Sequence, residues 1–437
     1  MPFLPLKDAR RVAAAASQKL LRRMSQQRWR PWWQRLRRRH DATGMDGAGI
    51  AETFEDWVTP ESVTLRDGTR VQLLKDGQAL RAAYDAIALA RRRICVEMYI
   101  FSSDEAGLAF VELLCRKARA GVRVYVLYDA FGCHDTDPAL FERLRASGVR
   151  LREFHPLAPW RYHGRWRITQ RDHRKLILVD DHLAQLGGQN VGAEYAGPWI
   201  VRKRRRFRGK PWRDTGLSLE GPQVARLVTA FARIWRYASR GGELAAAEYV
   251  TELASATDFG VLASAPTQHS QIAPIAQQLL EGARKSLWIT MAYFAPTDAI
   301  VAALCAAARR GVSVRLMLPG SGGDIALLRI AARSFYTELL EAGVEIFERR
   351  GPMLHAKTLC LDGEISIIGS ANLDYRSFES NCELSVALRS PALANQMHAL
   401  FEHDVRHSLG ITLANWRRRP WLDALLQNLV NLFRRWL

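Results

Sequence analysis

The sequence lacks any uninterrupted run of about 18 apolar residues, the length that a helix needs to cross a bilayer. It also lacks, at its start, the continuous apolar stretch of a secretory signal, so we expect neither a transmembrane helix nor a signal peptide. None of the six cysteines forms a CxxC pair. This absence argues against zinc-ribbon and thioredoxin-like sites and favours reduced, buried thiols facing a cytoplasmic compartment.

Positive charge is the outlier in an otherwise ordinary globular composition. The 437 residues are 48% hydrophobic and 24% charged, which is enough for two or three domains with cores of their own. The formal net charge of +19 is concentrated in three places, residues 1–39, residues 201–210 and the chain from Trp416 onward. The rest of the chain is slightly acidic, so we do not expect a nucleic-acid partner despite the high overall charge.

The two halves of the chain repeat one order of segments. The apolar run ICVEMYIF, at 94–101, matches LWITMAYF, at 287–294, and each run precedes an alanine-rich helical segment. A second apolar run follows, beginning at Gly121 in one half and at Gly311 in the other, and then a further helical segment and a third apolar run. This β-α-β-α-β order predicts two α/β domains with largely parallel sheets covered by helices.

The predicted organisation has five parts. We place a basic amphipathic segment at 1–57, the first domain at 58–240, a linker at 241–255, the second domain at 256–415 and an amphipathic C-terminal helix at 416–437.

A second pair of matching segments carries the residues suited to catalysis. The first half has HRKLILVD, from His173 to Asp180, followed by GGQN ending at Asn190. The second half has HAKTLCLD, from His355 to Asp362, followed by GSAN ending at Asn372. The spacing is the same in both halves, and Asp362-Gly363 is a strong signal for a tight turn, so each segment is predicted to be a hairpin.

The geometry of a strand explains this residue choice. Side chains two apart project from the same face, so His173 lies beside Lys175, and His355 beside Lys357. Reaction at a phosphodiester needs a nucleophile, an acid for the leaving alcohol, and cationic or amide donors around the phosphoryl oxygens. Two facing hairpins would supply all of these groups, although any one of these residues alone is more often structural.

One acid in each half continues the repeat. Asp214 and Glu383 each lie eight residues before a proline, at the start of a matching apolar run. A carboxylate on the far ring nitrogen would fix the tautomer of each histidine and stabilise its imidazolium form. The alternative is that both acids are exposed at strand starts. The basic stretch 201–210 separates Asp214 from its hairpin and makes that assignment the weaker of the two.

The doubled HxKxxxxD pattern, with GGxN and GSxN downstream, resembles the signature of the phospholipase D superfamily over about 58–410. The runs at 71–87, 171–173, 211–222 and 376–388 further resemble bacterial cardiolipin synthases, in particular the branch without N-terminal transmembrane helices. The resemblance implies two tandem phospholipase D-like α/β/α domains related by a pseudo-two-fold axis. It also implies catalytic roles for six signature residues, among which we interpret the two aspartates as holding the hairpins: His173, Lys175, Asp180, His355, Lys357 and Asp362.

The same resemblance assigns phosphate binding to Asn190 and Asn372 and the orientation of the histidines to Asp214 and Glu383. Because lysine and asparagine can hold the phosphoryl oxygens, no metal and no cofactor are expected.

Both ends of the chain have an interfacial composition. Leucines and aromatic residues recur at helical spacing in WLDALLQNLVNLFRRWL, at 421–437, and arginines and tryptophans flank them. The N-terminal stretch mixes Trp29, Trp32 and Trp33 with many arginines. This pattern is typical of helices that lie on an anionic membrane surface, although the C-terminal helix could equally pack on the protein's own body.

The sequence thus predicts a peripheral enzyme on the cytoplasmic side of the inner membrane that transfers a phosphatidyl group from phosphatidylglycerol through a phosphatidyl-histidine. The sequence leaves open whether the second lipid is phosphatidylglycerol or phosphatidylethanolamine. It also leaves open the oligomeric state and the need for a helper protein. The alternatives are a phospholipase D-type hydrolase, a phospholipase D-like nuclease, and a membrane scaffold with decayed sites.

Overall fold

The structure, a computed structural model, describes residues 57–158, 169–197, 211–239, 258–265, 270, 272–321 and 326–433. The predicted N-terminal segment up to residue 56, the basic stretch 201–210 and the linker 241–255 lie outside these residues, as do residues 434–437 of the C-terminal helix.

Two eight-stranded sheets form the frame of the molecule. The first has the order β1-β2-β8-β7-β6-β3-β4-β5 and the second β18-β13-β12-β10-β14-β15-β17-β9. The strands of the first sheet are β1 Val63–Thr64, β2 Arg70–Lys75, β3 Arg93–Met98, β4 Arg123–Asp129, β5 Arg150–Phe154, β6 Leu176–Val179, β7 Leu183–Gly187 and β8 Thr215–Glu220. Those of the second are β9 Phe259–Ala263, β10 Ser286–Met291, β12 Ser313–Pro319, β13 Glu345–Arg349, β14 Lys357–Leu361, β15 Ile365–Gly369, β17 Leu384–Arg389 and β18 Ser408–Ile411.

A small third sheet joins β11 (Phe294–Ala295) to β16 (Leu373–Asp374). The helices of the first half are α1 Gly77–Leu89, α2 Glu105–Arg119, α3 Pro138–Ala146, α4 Ala193–Ala196 and α5 Val224–Ser239. Those of the second half are α6 Ile272–Gly282, α7 Asp298–Arg309, α8 Ala326–Ser334, α9 Tyr336–Glu341, α10 Pro391–Arg406, α11 Leu413–Arg417 and α12 Trp421–Asn431, with a π-helical turn at Arg376–Ser380.

Local sequence accounts for the matching β-α-β units. β3 and β10 are almost wholly buried, as expected of central strands covered by helices on both faces. The next helix begins at a capping residue in each half: the Asp104 carboxylate accepts hydrogen bonds from the backbone at the start of α2, and the Thr297 hydroxyl does so at the start of α7. Buried apolar side chains on one face of each helix then pack against the sheet.

The expectation of largely parallel sheets is wrong. Only β3-β4-β5 in the first sheet and β10-β12-β13 in the second run parallel. The hairpin strands β6 and β14 join the parallel set in the antiparallel direction, and the strands beyond them also pair antiparallel. The cause is the hairpin itself, because a tight turn can only connect antiparallel strands.

One hydrophobic cluster contains residues of both sheets. Leu186 and Leu217 of the first sheet belong to the same buried group as Ile368, Leu384 and Val386 of the second. The hairpin side of each sheet therefore faces the other half. No helix within the described ranges is long and apolar enough to cross a membrane.

Candidate active site

The two histidine segments meet where the halves join. The backbone N–H of His173 donates to the carbonyl oxygen of Cys382 at 2.9 Å, and that of His355 donates to the carbonyl oxygen of Arg213 at 2.7 Å. Cys382 and Arg213 directly precede the two predicted orienting acids. Each hairpin is thus tied by its backbone to the acid-bearing segment of the other half.

The histidine and carboxylate pairs are crossed between the halves. His173 Nδ1 lies 3.0 Å from Glu383 Oε1 and 3.1 Å from Oε2, and His355 Nδ1 lies 2.8 Å from Asp214 Oδ2. An ionised carboxylate only accepts hydrogen bonds, so these contacts place the ring proton on Nδ1. Nε2 of each neutral imidazole is then the lone-pair nitrogen, which can attack phosphorus or exchange a proton with an alcohol.

The two lysines share one local arrangement. Lys175 Nζ donates to the carbonyl oxygen of His173 at 2.6 Å, and Lys357 Nζ donates to that of His355. Each ammonium also lies near a tyrosine ring, 5.0 Å from the centroid of Tyr99 and 5.9 Å from that of Tyr293, respectively. An ammonium group has three donors, so these contacts are compatible with further hydrogen bonds to phosphoryl oxygens.

Burial and nearby cations favour neutral histidines. Burial lowers the pKa of His173 well below its usual value, and the charges of Lys175, Lys357 and Arg376 lower it further. Burial, followed by the charge of Lys357, lowers the pKa of His355 to about 4. Lysines of both halves act on each histidine, so the two hairpins form one electrostatic site. The charges of the two lysines suit the binding of a phosphodiester anion.

Glu383 is held by more donors than its counterpart. Besides His173, its carboxylate accepts hydrogen bonds from Ser370 Oγ at 2.5 Å, Ser377 Oγ at 3.0 Å and Asn381 Nδ2 at 3.3 Å. Burial raises the pKa of Glu383 to about 7, against the opposing effects of Lys175 and these donors. Its protonation near neutral pH would remove the acceptor that holds the His173 ring proton on Nδ1.

Asp214 accepts instead from the backbone N–H of Thr215, at 2.7 Å. Gly188 occupies the position that Ser370 has in the other half. A Cβ atom added at Gly188 would lie only 2.3 Å from Asp214 Oδ1, so this carboxylate fills the space that a side chain would need.

The two asparagines lie beside their own hairpins. Asn190 Oδ1 accepts from the backbone N–H of Ile100 at 3.1 Å, and Asn372 Oδ1 accepts from that of Tyr293 at 3.2 Å. In both cases the carbonyl end is fixed to the loop after the central strand. Asn190 Nδ2 donates to the Tyr195 hydroxyl at 2.9 Å.

The signature aspartates lie at the opposite ends of the hairpin strands from the histidines. Asp180 accepts from the backbone N–H groups of Arg91, Arg92 and Arg93 at 2.6–2.8 Å. Asp362 accepts from those of Arg284, Lys285 and Ser286 at 2.7–3.1 Å. Both aspartates have positive φ, as the tight turns require. They therefore fasten the hairpin turn to the start of the neighbouring central strand and lie away from the histidines.

Several residues near the histidines were not predicted. Tyr99 lies edge-on to His173 with ring centroids 5.0 Å apart, while Trp212, Tyr195 and Tyr293 surround His355 at 5.3, 5.6 and 6.1 Å. Tyr99 and Tyr293 both follow a central strand, but they are one position out of register in the repeat. An aromatic residue just after each of these strands was the signal available in the sequence.

Two buried arginines near the hairpins connect the two halves of the chain. Arg174, whose side chain is 2% exposed, donates to the carbonyl oxygens of Glu383, Ala230 and Ser264 and lies 3.6 Å from Glu97 Oε1. Arg213 makes a 2.7 Å ion pair with Asp404. Because these contacts cross between the halves, the arginines fix the orientation of each hairpin relative to the opposite acid.

The arrangement can perform double displacement at a phosphodiester. It provides two neutral imidazoles, each with a carboxylate on Nδ1, together with ammonium and amide groups around the space they share. One imidazole can form a bond to phosphorus while the other transfers a proton to or from an alcohol oxygen.

Comparisons with known proteins show which family the chain resembles. Residues 84–196 and 277–405 match the family model described as cardiolipin synthase, PLD-like domain, and each matched segment contains one HxK motif. Cardiolipin synthase A of Pseudomonas aeruginosa (strain LESB58) is 34% identical over 390 residues, which cover 88% of this chain and 75% of the relative. Probable cardiolipin synthase YwiE of Bacillus subtilis (strain 168) is 31% identical over 370 residues, covering 84% of this chain and 72% of the relative.

Among solved structures, phosphatidylserine synthase of Haemophilus influenzae Rd KW20 matches with a TM-score of 0.67 at 14% sequence identity. The match covers 86% of this chain and 97% of that protein. This similarity confirms the predicted fold of two tandem phospholipase D-like domains.

Proposed function

We propose that this chain, which belongs to the cardiolipin synthase family of phospholipase D-like proteins, transfers a phosphatidyl group from phosphatidylglycerol to a second phospholipid through a phosphatidyl-histidine. The observation that carries the proposal is the crossed pairing of His173 with Glu383 and of His355 with Asp214. It gives both histidines the tautomer that the two steps of such a transfer need.

In the first step, Nε2 of His173 attacks the phosphorus of phosphatidylglycerol. A phosphorus–nitrogen bond forms as the bond to the glycerol headgroup oxygen breaks, and His355 gives that oxygen a proton. Glu383 holds Nδ1 of His173 and stabilises the positive charge that develops on the ring. Glycerol leaves, and the phosphatidyl group stays on the enzyme.

In the second step, His355 takes a proton from a headgroup hydroxyl of another phosphatidylglycerol. The hydroxyl oxygen attacks phosphorus, the phosphorus–nitrogen bond breaks, and cardiolipin is released. Lys175, Lys357, Asn190 and Asn372 bind the phosphoryl oxygens in both steps.

The same scheme explains how His355 obtains the proton that it donates in the first step. Burial and the charges of Lys357 and Lys175 lower its pKa to about 4, against the opposing effect of Asp214. A phosphodiester bound between those lysines offsets their charge and raises the pKa of His355, so substrate binding itself prepares the acid.

The difference between the two histidines supports the order of roles. The side chain of His173 is 11% exposed and that of His355 4%. Three aromatic rings surround His355. We therefore assign the nucleophile to the more accessible ring.

The proposal is tested with purified full-length chain, phosphatidylglycerol in detergent micelles and a chelator. Cardiolipin and glycerol should appear together, and His173→Ala should abolish both. His182→Ala, which removes an exposed histidine from the turn of the same hairpin, serves as the matched control and should retain turnover. Phosphatidic acid as the only product would make the protein a hydrolase, and cleavage of single-stranded DNA without lipid turnover would make it a nuclease.

We further propose a peripheral position on the cytoplasmic face of the inner membrane and phospholipid headgroups as the partners. The basic ends of the chain and the lipid substrate of the proposed reaction support this position. We retain the predicted domain bounds of 58–240 and 256–415 as part of this proposal. Extraction of the protein from washed membranes by high salt would test the peripheral attachment.

A further inference from the structure

Helix α12 presents its apolar side chains to solvent. Leu422, Leu425 and Leu429 are 57%, 48% and 49% exposed, and Leu432, just after the helix, is 75% exposed. Their spacing of three and four residues places them on one face of the helix. Together with Trp421, Phe433 and Leu327 of the neighbouring helix α8, they define the α8–α12 apolar face.

Two polar residues of α12 turn away from this face, although Asn428 is exposed. Gln427 is 4% exposed, and Asp423 lies within electrostatic range of Arg333 on α8 and of Arg419. A helix that only covers a protein core has the opposite arrangement, with apolar residues inward and polar residues outward. In α12 Leu426 and Val430 are half-buried, while Leu422, Leu425, Leu429 and Leu432 form an apolar strip that the described residues leave exposed.

The α8–α12 apolar face lies close to the second hairpin. α12 packs on α8, and α8 in turn packs on β11. β11 directly follows Tyr293, whose ring meets that of His355, and β11 pairs with β16, which directly follows Asn372. A lipid held at this face would therefore be separated from the residues proposed to bind phosphate only by the layer that α8, β11 and β16 form.

The charge around the face indicates the nature of its occupant. Arg418, three residues before α12, is exposed, and so is Arg417, which pairs with Glu341 at 2.8 Å. Trp421, in the first turn of α12, is 72% exposed. Exposed leucine with tryptophan and arginine at the border is the composition that inserts apolar side chains among acyl chains while arginine contacts anionic headgroups. We infer that the α8–α12 apolar face docks on an anionic lipid surface and so brings the second hairpin to the membrane.

This inference rests on the proposed function, which identifies the substrate as a lipid, and it adds the surface that binds the membrane. Docking itself can be measured without turnover. The probe is a vesicle of phosphatidylglycerol and phosphatidylcholine, compared with one of phosphatidylcholine alone, and the readout is co-flotation of the full-length protein.

The test variant is Leu425→Glu/Leu429→Glu, and the matched control is Val58→Glu/Leu89→Glu. The control adds the same charge at apolar residues that are 86% and 78% exposed elsewhere on the protein. We expect the test variant to lose about tenfold or more in affinity for the anionic vesicles, because two inserted leucines are replaced by charged groups. The control should stay within about twofold of the wild type, since only its net charge changes.

Three results would overturn the inference. Equal vesicle binding by the two variants would show that the face does not dock. A selective fall in the thermal unfolding midpoint of the test variant would mean that the leucines pack on the protein itself. A wild-type dimer in light scattering, lost in the test variant and accompanied by no vesicle binding, would identify a second copy as the occupant. Wild-type turnover in detergent micelles tests the proposed function separately, so failure of one proposal can be distinguished from failure of the other.

Discussion

Removal of the Ser370 hydroxyl should shift the acid side of the pH–rate profile. The ionised Glu383 carboxylate holds the ring proton of His173 on Nδ1, and Ser370 Oγ donates to that carboxylate at 2.5 Å. Ser370→Ala removes a donor that stabilises the ionised form, so the pKa of Glu383 rises. Both residues are fully buried, so we expect no water to replace the hydroxyl.

The size of the shift follows from the strength of such a bond. A hydrogen bond to a charged group contributes roughly 1.5–3 kcal/mol, and one pKa unit corresponds to about 1.4 kcal/mol. The pKa of Glu383, about 7 in the wild type, should therefore rise by about one to two units. At neutral pH the ionised fraction, and with it the rate of phosphatidyl transfer, should fall by about 5- to 50-fold.

The assay measures kcat/KM for cardiolipin formation in micelles between about pH 5 and 9. The activity of Ser370→Ala should recover as the pH is raised, whereas a variant with a damaged site would stay slow at every pH. Ser366→Ala is the matched control, because it removes a buried hydroxyl from β15 without touching Glu383. The reasoning fails if the profile has no acid limb near pH 7, or if Ser366→Ala moves the limb as far as Ser370→Ala does.

Three further outcomes are expected. With a phosphatidyl ester of p-nitrophenol, whose leaving group needs no proton, His355→Ala should still acquire a covalent label that His173→Ala lacks, and the reverse result would exchange the two roles. Sulfate binding at pH 7, followed by calorimetry in buffers of different ionisation enthalpy, should be accompanied by uptake of up to about one proton, because the anion raises the low pKa of His355; binding enthalpies that do not depend on the buffer would contradict this. Arg174→Met leaves the buried carbonyl oxygens of Glu383, Ala230 and Ser264 without their donor and should lower the free energy of unfolding in urea by at least about 3 kcal/mol, at roughly 1–3 kcal/mol for each unsatisfied acceptor, whereas Arg417→Met, which removes an exposed ion pair with Glu341, should cost no more than about 1 kcal/mol.

The internal repeat allowed much of the fold to be predicted from sequence. The apolar runs at 94–101 and 287–294 contain the central strands β3 and β10, and the HxK segments do lead into hairpins. These features depend on local patterns of apolar residues and turns, which one sequence displays directly. The direction of the strands beyond the hairpin depends on how distant segments pair, and there the expectation of a largely parallel sheet was wrong.

The amphipathic C-terminal helix shows a second limit of the sequence. Helical spacing predicts which residues of α12 share a face, but it cannot say whether that face points inward or outward. The answer depends on the partner, and Asp423 lies within electrostatic range of Arg333 on α8. Only the tertiary packing reveals that the leucines are the exposed side.

The crossed pairs explain why the chain has two similar halves and one site. Each half supplies a histidine and a lysine, but the carboxylate that orients each histidine comes from the other half. Half a chain would therefore contain a complete set of signature residues and still lack the carboxylate that hydrogen-bonds to its histidine. The two pairs also differ, since Glu383 is held by two serines and Asp214 lies against Gly188. Duplication thus provides the two histidines that the proposed double displacement needs, and the unequal surroundings of the two acids are consistent with the different roles proposed for them.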